Sequence, residues 1–112
     1  MDYNVEADIN DIVVTEGDTL DMSWTVYLND VAYDMSGMQL DMDIKTKYGT
    51  VLDSFSSAGG SPEITISTTS LNITAIISLS TGVYRYDIQL TDGTNIKTIR
   101  KGNFIVQKQI TT

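Results

Sequence analysis

Apolar and polar side chains alternate with a period of two along most of this chain. That period places neighbours on opposite faces of a strand and does not build the stripe of an amphipathic helix, which recurs every three or four residues. The clearest run is Thr19 to Asn29, where Leu20, Met22, Trp24, Val26 and Leu28 share one parity and Asp21, Ser23, Thr25 and Tyr27 take the other. Such a strand buries one face and wets its reverse, as in an antiparallel sheet. The same alternation runs through Met38 to Lys45, Leu71 to Ser78 and Tyr84 to Leu90.

Turn chemistry separates these runs. Asn29-Asp30 precedes Val31, Tyr33 and Met35; Lys47-Tyr48-Gly49-Thr50 precedes Val51 to Phe55; Ser80-Thr81-Gly82 and Thr91-Asp92-Gly93-Thr94-Asn95 flank the Tyr84 run. Asp-Gly tolerates the positive φ that tight hairpins need. Ser56 to Ser61 has little to bury and much chain entropy to lose, so it is expected to be the most mobile interior loop, ended by Pro62, after which Ile64 and Ile66 form a short strand. Ile96 and Ile99 differ in parity, so a bulge or frame change is expected near Lys101-Gly102 before Phe104 and Val106. The pattern predicts one all-β sandwich of about seven to nine antiparallel strands. It spans residues 1–112, with 1–8 and 109–112 expected as flexible or partner-contacting ends. Met22, Trp24, Leu40, Met42, Ile73, Tyr84, Tyr86, Ile88 and Phe104 are the expected core.

Composition narrows the function. At 112 residues the chain can build one modest core. It has no His and no Cys, which removes the commonest general base, the thiolate nucleophile, the usual zinc ligands and every disulfide. A formal charge of −8 argues against nucleic acid, whose phosphates need a surplus of basic side chains. No apolar run exceeds three residues, far short of the roughly 20 that a membrane-spanning helix needs. The first residues, Met1-Asp2-Tyr3-Asn4-Val5-Glu6, lack the basic start and apolar stretch of a secretory signal. Asn72-Ile73-Thr74 matches the glycosylation tripeptide without a secretory context to support it.

Carboxylates are the only plentiful catalytic raw material. Asp41 with Asp43, at i and i+2 on one strand, point to the same side and read as a solvated face rather than as two groups facing across a cleft. Asp8, Asn10, Asp11, Glu16 and Asp18 are dense enough to raise a calcium question, but no EF-hand spacing is present and a solvated acidic edge is the preferred reading. No Gly-x-Ser-x-Gly elbow occurs, and Gly59-Gly60 lacks the lysine of a phosphate loop. The expectation is a non-enzymatic protein with no cofactor and no metal. Trp24, Tyr84 and Tyr86 share faces with aliphatic residues, whereas Tyr27 and Tyr48 fall on a polar face and a turn, which makes them the aromatic candidates for a partner surface.

Charge is divided along the sequence. Residues 1–44 hold 11 acids and no Lys or Arg, and residues 45–112 hold 4 acids and 7 basic residues, so the halves carry −11 and +3 and together give −8. One reading is an acidic surface that aids solubility. The other is head-to-tail assembly, in which Asp8, Asp11, Glu16 and Asp18 of one copy meet Lys97, Arg100, Lys101 and Lys108 of a neighbour, making a homo-oligomer.

Three segments resemble bacteriophage proteins of the tail, baseplate and capsid surface. They are Ile12-Val13-Val14-Thr15-Glu16-Gly17-Asp18-Thr19-Leu20; Val31-Ala32-Tyr33-Asp34-Met35-Ser36-Gly37; and Gly82-Val83-Tyr84-Arg85-Tyr86-Asp87-Ile88-Gln89-Leu90 with Lys101-Gly102-Asn103-Phe104-Ile105-Val106 and Ile110-Thr111 after it. Their order is similar to the N-terminal β-sandwich of phage baseplate upper proteins and related virion proteins. The resemblance implies an immunoglobulin-like fold and a structural role, as auxiliary capsid or decoration, head-fibre, or baseplate and tail attachment protein. It implies contacts with other virion proteins, a place in the virion after synthesis in the host bacterial cytoplasm, and no catalytic residue. The competing expectation is a carbohydrate-binding or host-adhesion sandwich, in which exposed aromatic rings stack on sugars.

Overall fold

The computed structural model describes residues 8–28, 30–60 and 62–108. The Tyr84 run and the segment after Asp92-Gly93 form its central hairpin, β10 (Gly82–Thr91) and β11 (Ile96–Gln107). Against β10 lies β6 (Gln39–Lys45), followed by β7 (Val51–Ser56). Two short strands, β1 (Asp8–Ile9) and β2 (Ile12–Thr15), run parallel to β11 and act as one broken edge strand. The facing sheet has the order β3 (Thr19–Thr25), β9 (Ser70–Ile76), β8 (Ile64–Ser67), all antiparallel. Between the sheets in sequence, β4 (Tyr27–Leu28) and β5 (Val31–Ala32) make a small separate hairpin.

The fold is an all-β, immunoglobulin-like sandwich: nine strands divide six to three between the two sheets, with no helix among the described residues. The third and sixth strands, β3 and β6, sit in opposite sheets, and the penultimate and last strands, β10 and β11, pair at the centre of the larger sheet. Tyr84 adds an anchor of this architecture. Near the start of β10 its hydroxyl donates to the carbonyl of Ser80 at 2.6 Å, four residues upstream, which pins the loop entering the strand.

Parity sets the core. Leu40, Met42 and Ile44 of β6, Tyr86 and Ile88 of β10, and Phe104 and Val106 of β11 are buried against Leu20, Ile64, Leu71, Ile73 and Ala75 of the opposite sheet. Of the expected core, Met22, Trp24 and Tyr84 are only partly buried and pack on its margin. Trp24 stands one residue from the end of β3, and it is less covered than Met42 or Phe104.

The frame change falls slightly earlier than the sequence suggested. The β10–β11 register slips between Ile88, paired with Arg100, and Gln89, paired with Thr98, which leaves Ile99 as the extra residue. Burial explains the position: Ile99 is buried, and Arg100 shares the inner face of its partner Ile88. Gly102 instead marks the break between β1 and β2. The Asn10 amide donates to the Lys101 carbonyl at 2.9 Å, so the edge chain passes directly over Gly102. A Cβ there would overlap the Asn10 carbonyl oxygen.

The β10–β11 turn gives a pH-dependent prediction. The Asp92 carboxylate accepts from the amides of Asn95 at 2.8 Å and Thr94 at 3.0 Å. The Asn95 amide foremost, then that of Thr94, holds its carboxyl below the ordinary value of 3.8. A lowered folded-state pKa stabilises the fold above the unfolded value and loses that contribution as pH falls through the folded one. Asp92→Ala should therefore lower the thermal midpoint at neutral pH. The gap to the wild type should close as pH falls below about 3.8, measured by circular dichroism melts across a pH series.

Candidate functional site

Strand pairing, not sequence proximity, assembles the most distinctive surface. On the outer face of the six-stranded sheet, Arg85 of β10 is flanked by Asn103 of β11 and Lys45 of β6. Two residues further along, Asp87 is flanked by Lys101 and Asp43. The turn after β6 brings Lys47 alongside. Asp11, Asn103, Arg85, Lys45, Asp87, Lys101 and Lys47 line an open groove of about 580 Å³, which gathers four cations over the carboxylates of Asp11 and Asp87 in a chain that is acidic overall.

One ion pair crosses the groove floor. Lys45 Nζ donates to Asp87 Oδ2 at 3.2 Å, both side chains being about one quarter to one third exposed at 31% and 24%. Exposed pairs of this kind contribute about 0–1 kcal/mol, so the cation cluster is not explained by stability alone. The other Asp87 oxygen, Oδ1, is buried with no hydrogen-bond partner among the described residues. Asp11 is committed to structure, since its carboxylate accepts the Asn103 amide at 3.1 Å and caps the break between β1 and β2.

Beside the cations runs an apolar row. Val13 of β2 pairs with Ile105 of β11, and Ile105 with Val83 of β10, so three β-branched side chains stand side by side on the same outer face. Val13 is 52% and Val83 67% exposed. Two valines and an isoleucine facing outward on three adjacent strands leave apolar area in water that a partner would cover.

The residues expected at a partner surface are dispersed. Lys101 is exposed and in the groove, and Asp11 lines it. Arg100 turns inward: its guanidinium carbon lies 4.4 Å from the centre of the Trp24 ring, and its Nε donates to the Tyr86 hydroxyl at 3.0 Å. Tyr86 in turn donates to the Asn10 carbonyl at 2.6 Å, so Arg100 closes one end of the sandwich instead of reaching a neighbour. Lys97 lies across the bulge, half-buried and paired in register with Leu90, and Lys108 is exposed just past β11. Glu16 ties the β2–β3 turn to the loop before β10, accepting from both the amide and the hydroxyl of Thr81 at 3.1 Å. Asp18 is exposed in that turn. Asp8 pairs through its backbone with Arg100, but its side chain, like residues 1–7 and 109–112, lies outside the described residues. Tyr27 and Tyr48 are exposed, at 61% and 84%, and Lys47 Nζ lies 5.1 Å over the Tyr48 ring. No three acidic side chains among the described residues converge as metal ligands would.

Lys45, Lys47, Arg85 and Asp87 were absent from the residues singled out by sequence. The signal was present, because Lys45 and the Arg85–Asp87 pair occupy the polar parity of two strands. What was missing was the knowledge that β6 pairs with β10 in the register Arg85 to Lys45.

No protein-family model matches the chain, and no curated protein does. Among solved structures, CopC from Methylosinus trichosporium OB3b is 15% identical, with 100% of this chain and 95% of that chain covered and a TM-score of 0.47. The extracellular domains 3–5 of Drosophila OTK are 17% identical, with 96% of this chain and 35% of that chain covered and a TM-score of 0.38. These are distant likenesses of overall shape and assign nothing to the groove.

Proposed function

We propose that this chain is a non-enzymatic structural component of a bacteriophage particle, an auxiliary capsid, head-fibre or baseplate and tail attachment protein that works through protein–protein contacts. The observation that carries the attachment role is the outer face of the six-stranded sheet, where four cations adjoin the exposed Val13–Ile105–Val83 row. Both rows stand on three hydrogen-bonded strands, a rigid platform of the kind that positions contact residues with little ordering cost. The resemblance to phage baseplate upper and related virion proteins supplies the setting.

The carbohydrate-binding alternative rests on Tyr27 and Tyr48, the exposed aromatic rings. One face of Tyr48 is already shadowed by the Lys47 ammonium, and neither tyrosine is among the groove residues.

The test is incorporation into particles. Purified virions of the parent phage should contain the protein at fixed stoichiometry by mass spectrometry. Lys45→Glu with Arg85→Glu, changed on the surface only, should leave the soluble protein folded and lower its incorporation by about tenfold, as loss of complementary charge weakens encounter and docking. Virions that lack the wild-type protein would refute the particle role. Binding to host-surface polysaccharide on a glycan array would favour the adhesion module in its place.

A further inference from the structure

We infer that the groove receives an extended, acidic protein segment whose apolar and carboxylate side chains alternate. The inference rests on the attachment reading and names the chemistry of the partner at that same face.

The geometry comes from the sheet itself. The row Val13–Ile105–Val83 and the row holding Asn103, Arg85 and Lys45 are displaced by two residues along β10 and β11. Two residues of strand span about 7 Å, and both rows cross the strands in the same direction. A segment lying across the strands between them sends successive side chains to opposite sides. One set meets the valine and isoleucine surface, and the other meets Arg85 and Lys45, with Lys47 and Lys101 at the flanks. An extended chain with period-two alternation matches this division, whereas a helix presents one kind of residue over a stripe of three to four.

Charge selects acid at the second set. Arg85 and Lys101 have no carboxylate within ion-pair distance among the described residues, and Lys45 engages only one oxygen of Asp87. Asp11 and Asp87 keep their negative charge, but the four cations of the lining outnumber them, so the groove remains net positive. The apolar row favours a protein segment over an anionic glycan. Sugar recognition stacks rings on aromatic faces; of the aromatic side chains near these cations, Tyr86, which lines the groove, is 3% exposed, and Tyr48 stands outside the lining with one face covered by the Lys47 ammonium.

Fluorescence anisotropy with labelled short peptides tests this on the full chain. The probes are alternating glutamate–leucine, glutamate only, and alternating lysine–leucine, with polygalacturonate as a glycan competitor. The glutamate–leucine peptide should bind saturably and about tenfold more tightly than the glutamate-only peptide, while the lysine–leucine peptide should not bind. Arg85→Glu with Lys101→Glu should weaken it by about tenfold or more, and raising salt from about 0.05 to about 0.5 M should do the same to the wild type. Val83→Asp should reduce glutamate–leucine binding to the glutamate-only level. Circular dichroism melts confirm that each variant is folded, and Arg85→Ala with Lys101→Ala replaces the reversal variant if that one is not.

Absence of saturable binding, or binding indifferent to the Arg85 and Lys101 changes, overturns the inference. Polygalacturonate that displaces the peptide at equal or lower concentration assigns the groove to an anionic glycan and also overturns it. A salt-sensitive dimer of the chain alone, abolished by the same variant in sedimentation equilibrium, assigns the face to a second copy with the same consequence. Failure here with continued loss of virion incorporation in Lys45→Glu/Arg85→Glu would leave the attachment role standing and reject only the partner chemistry.

Discussion

Phe104→Ala is expected to destabilise the fold by about 3–5 kcal/mol, the range for truncating a fully buried aromatic side chain. Phe104 is 0% exposed and sits where three strands meet, paired in register with Tyr84 of β10 and Ile12 of β2. Its ring packs edge-on against Tyr86, with centroids 6.4 Å apart and planes at 74°. Removing it leaves a cavity beneath Tyr86 and loosens the edge strand at the same time. A domain of this size has a total stability of about 5–15 kcal/mol, so the variant should be marginal or largely unfolded at 37 °C. Urea unfolding followed by the fluorescence of Trp24, the single tryptophan, gives the measurement. A loss under about 1 kcal/mol at unchanged slope would mean that the site collapses around the missing ring and that Phe104 is no keystone.

Gly102→Ala should cost about 2–4 kcal/mol through two linked effects, overpacking and a displaced hydrogen-bond acceptor. The added methyl would overlap the Asn10 carbonyl oxygen, a backbone atom that cannot rotate aside. Either β11 or the edge chain must move, and that oxygen is the acceptor for the Tyr86 hydroxyl. Tyr86 is buried, so displacing this acceptor strains the bond its hydroxyl donates and disturbs the Arg100 contact above Trp24. Hydrogen exchange should quicken for amides of β1 and β2 while β3 and β9 stay protected. Coupling is a sharper check: Tyr86→Phe should cost less in the Gly102→Ala background than in the wild type, because the hydrogen bond it removes is already strained. Additive costs would separate Gly102 from the Tyr86 hydroxyl.

The groove variants behave differently from these two, because they remove surface charge and leave packing intact. Reversing Arg100 is not a surface test of the same kind. Its guanidinium stacks on Trp24 and bonds Tyr86, so a glutamate there would place a carboxylate against an aromatic face and a buried hydroxyl. Lys101, one residue on, is exposed and can be reversed without that cost. Adjacent positions on one strand part in this way because successive side chains point to opposite faces.

Period-two alternation by itself determined that this chain folds as strands, and it located most of the core. Leu40, Met42, Ile73, Ile88 and Phe104 are buried for the reason their parity indicates, since an apolar set on one face must be covered whichever strand lies opposite. The turns at Asp92-Gly93 and Lys47 to Thr50 were also local, being fixed by residues that accept turn geometry. Tertiary structure decided the rest. Alternation is blind to which strand pairs with which, so it could not reveal that β6, from the acidic part of the chain, lies beside β10 and sets Lys45 against Arg85 and Asp87. The division of charge between the two parts of the sequence is therefore partly mixed in space. Alternation called for a frame change near Lys101-Gly102, but only the pairing put the extra residue at Ile99, with Arg100 on the inner face and not on the expected partner surface. Burial propensity acts on each strand separately, whereas register and pairing are settled by the packing of two sheets at once, and the groove exists only as a product of that packing.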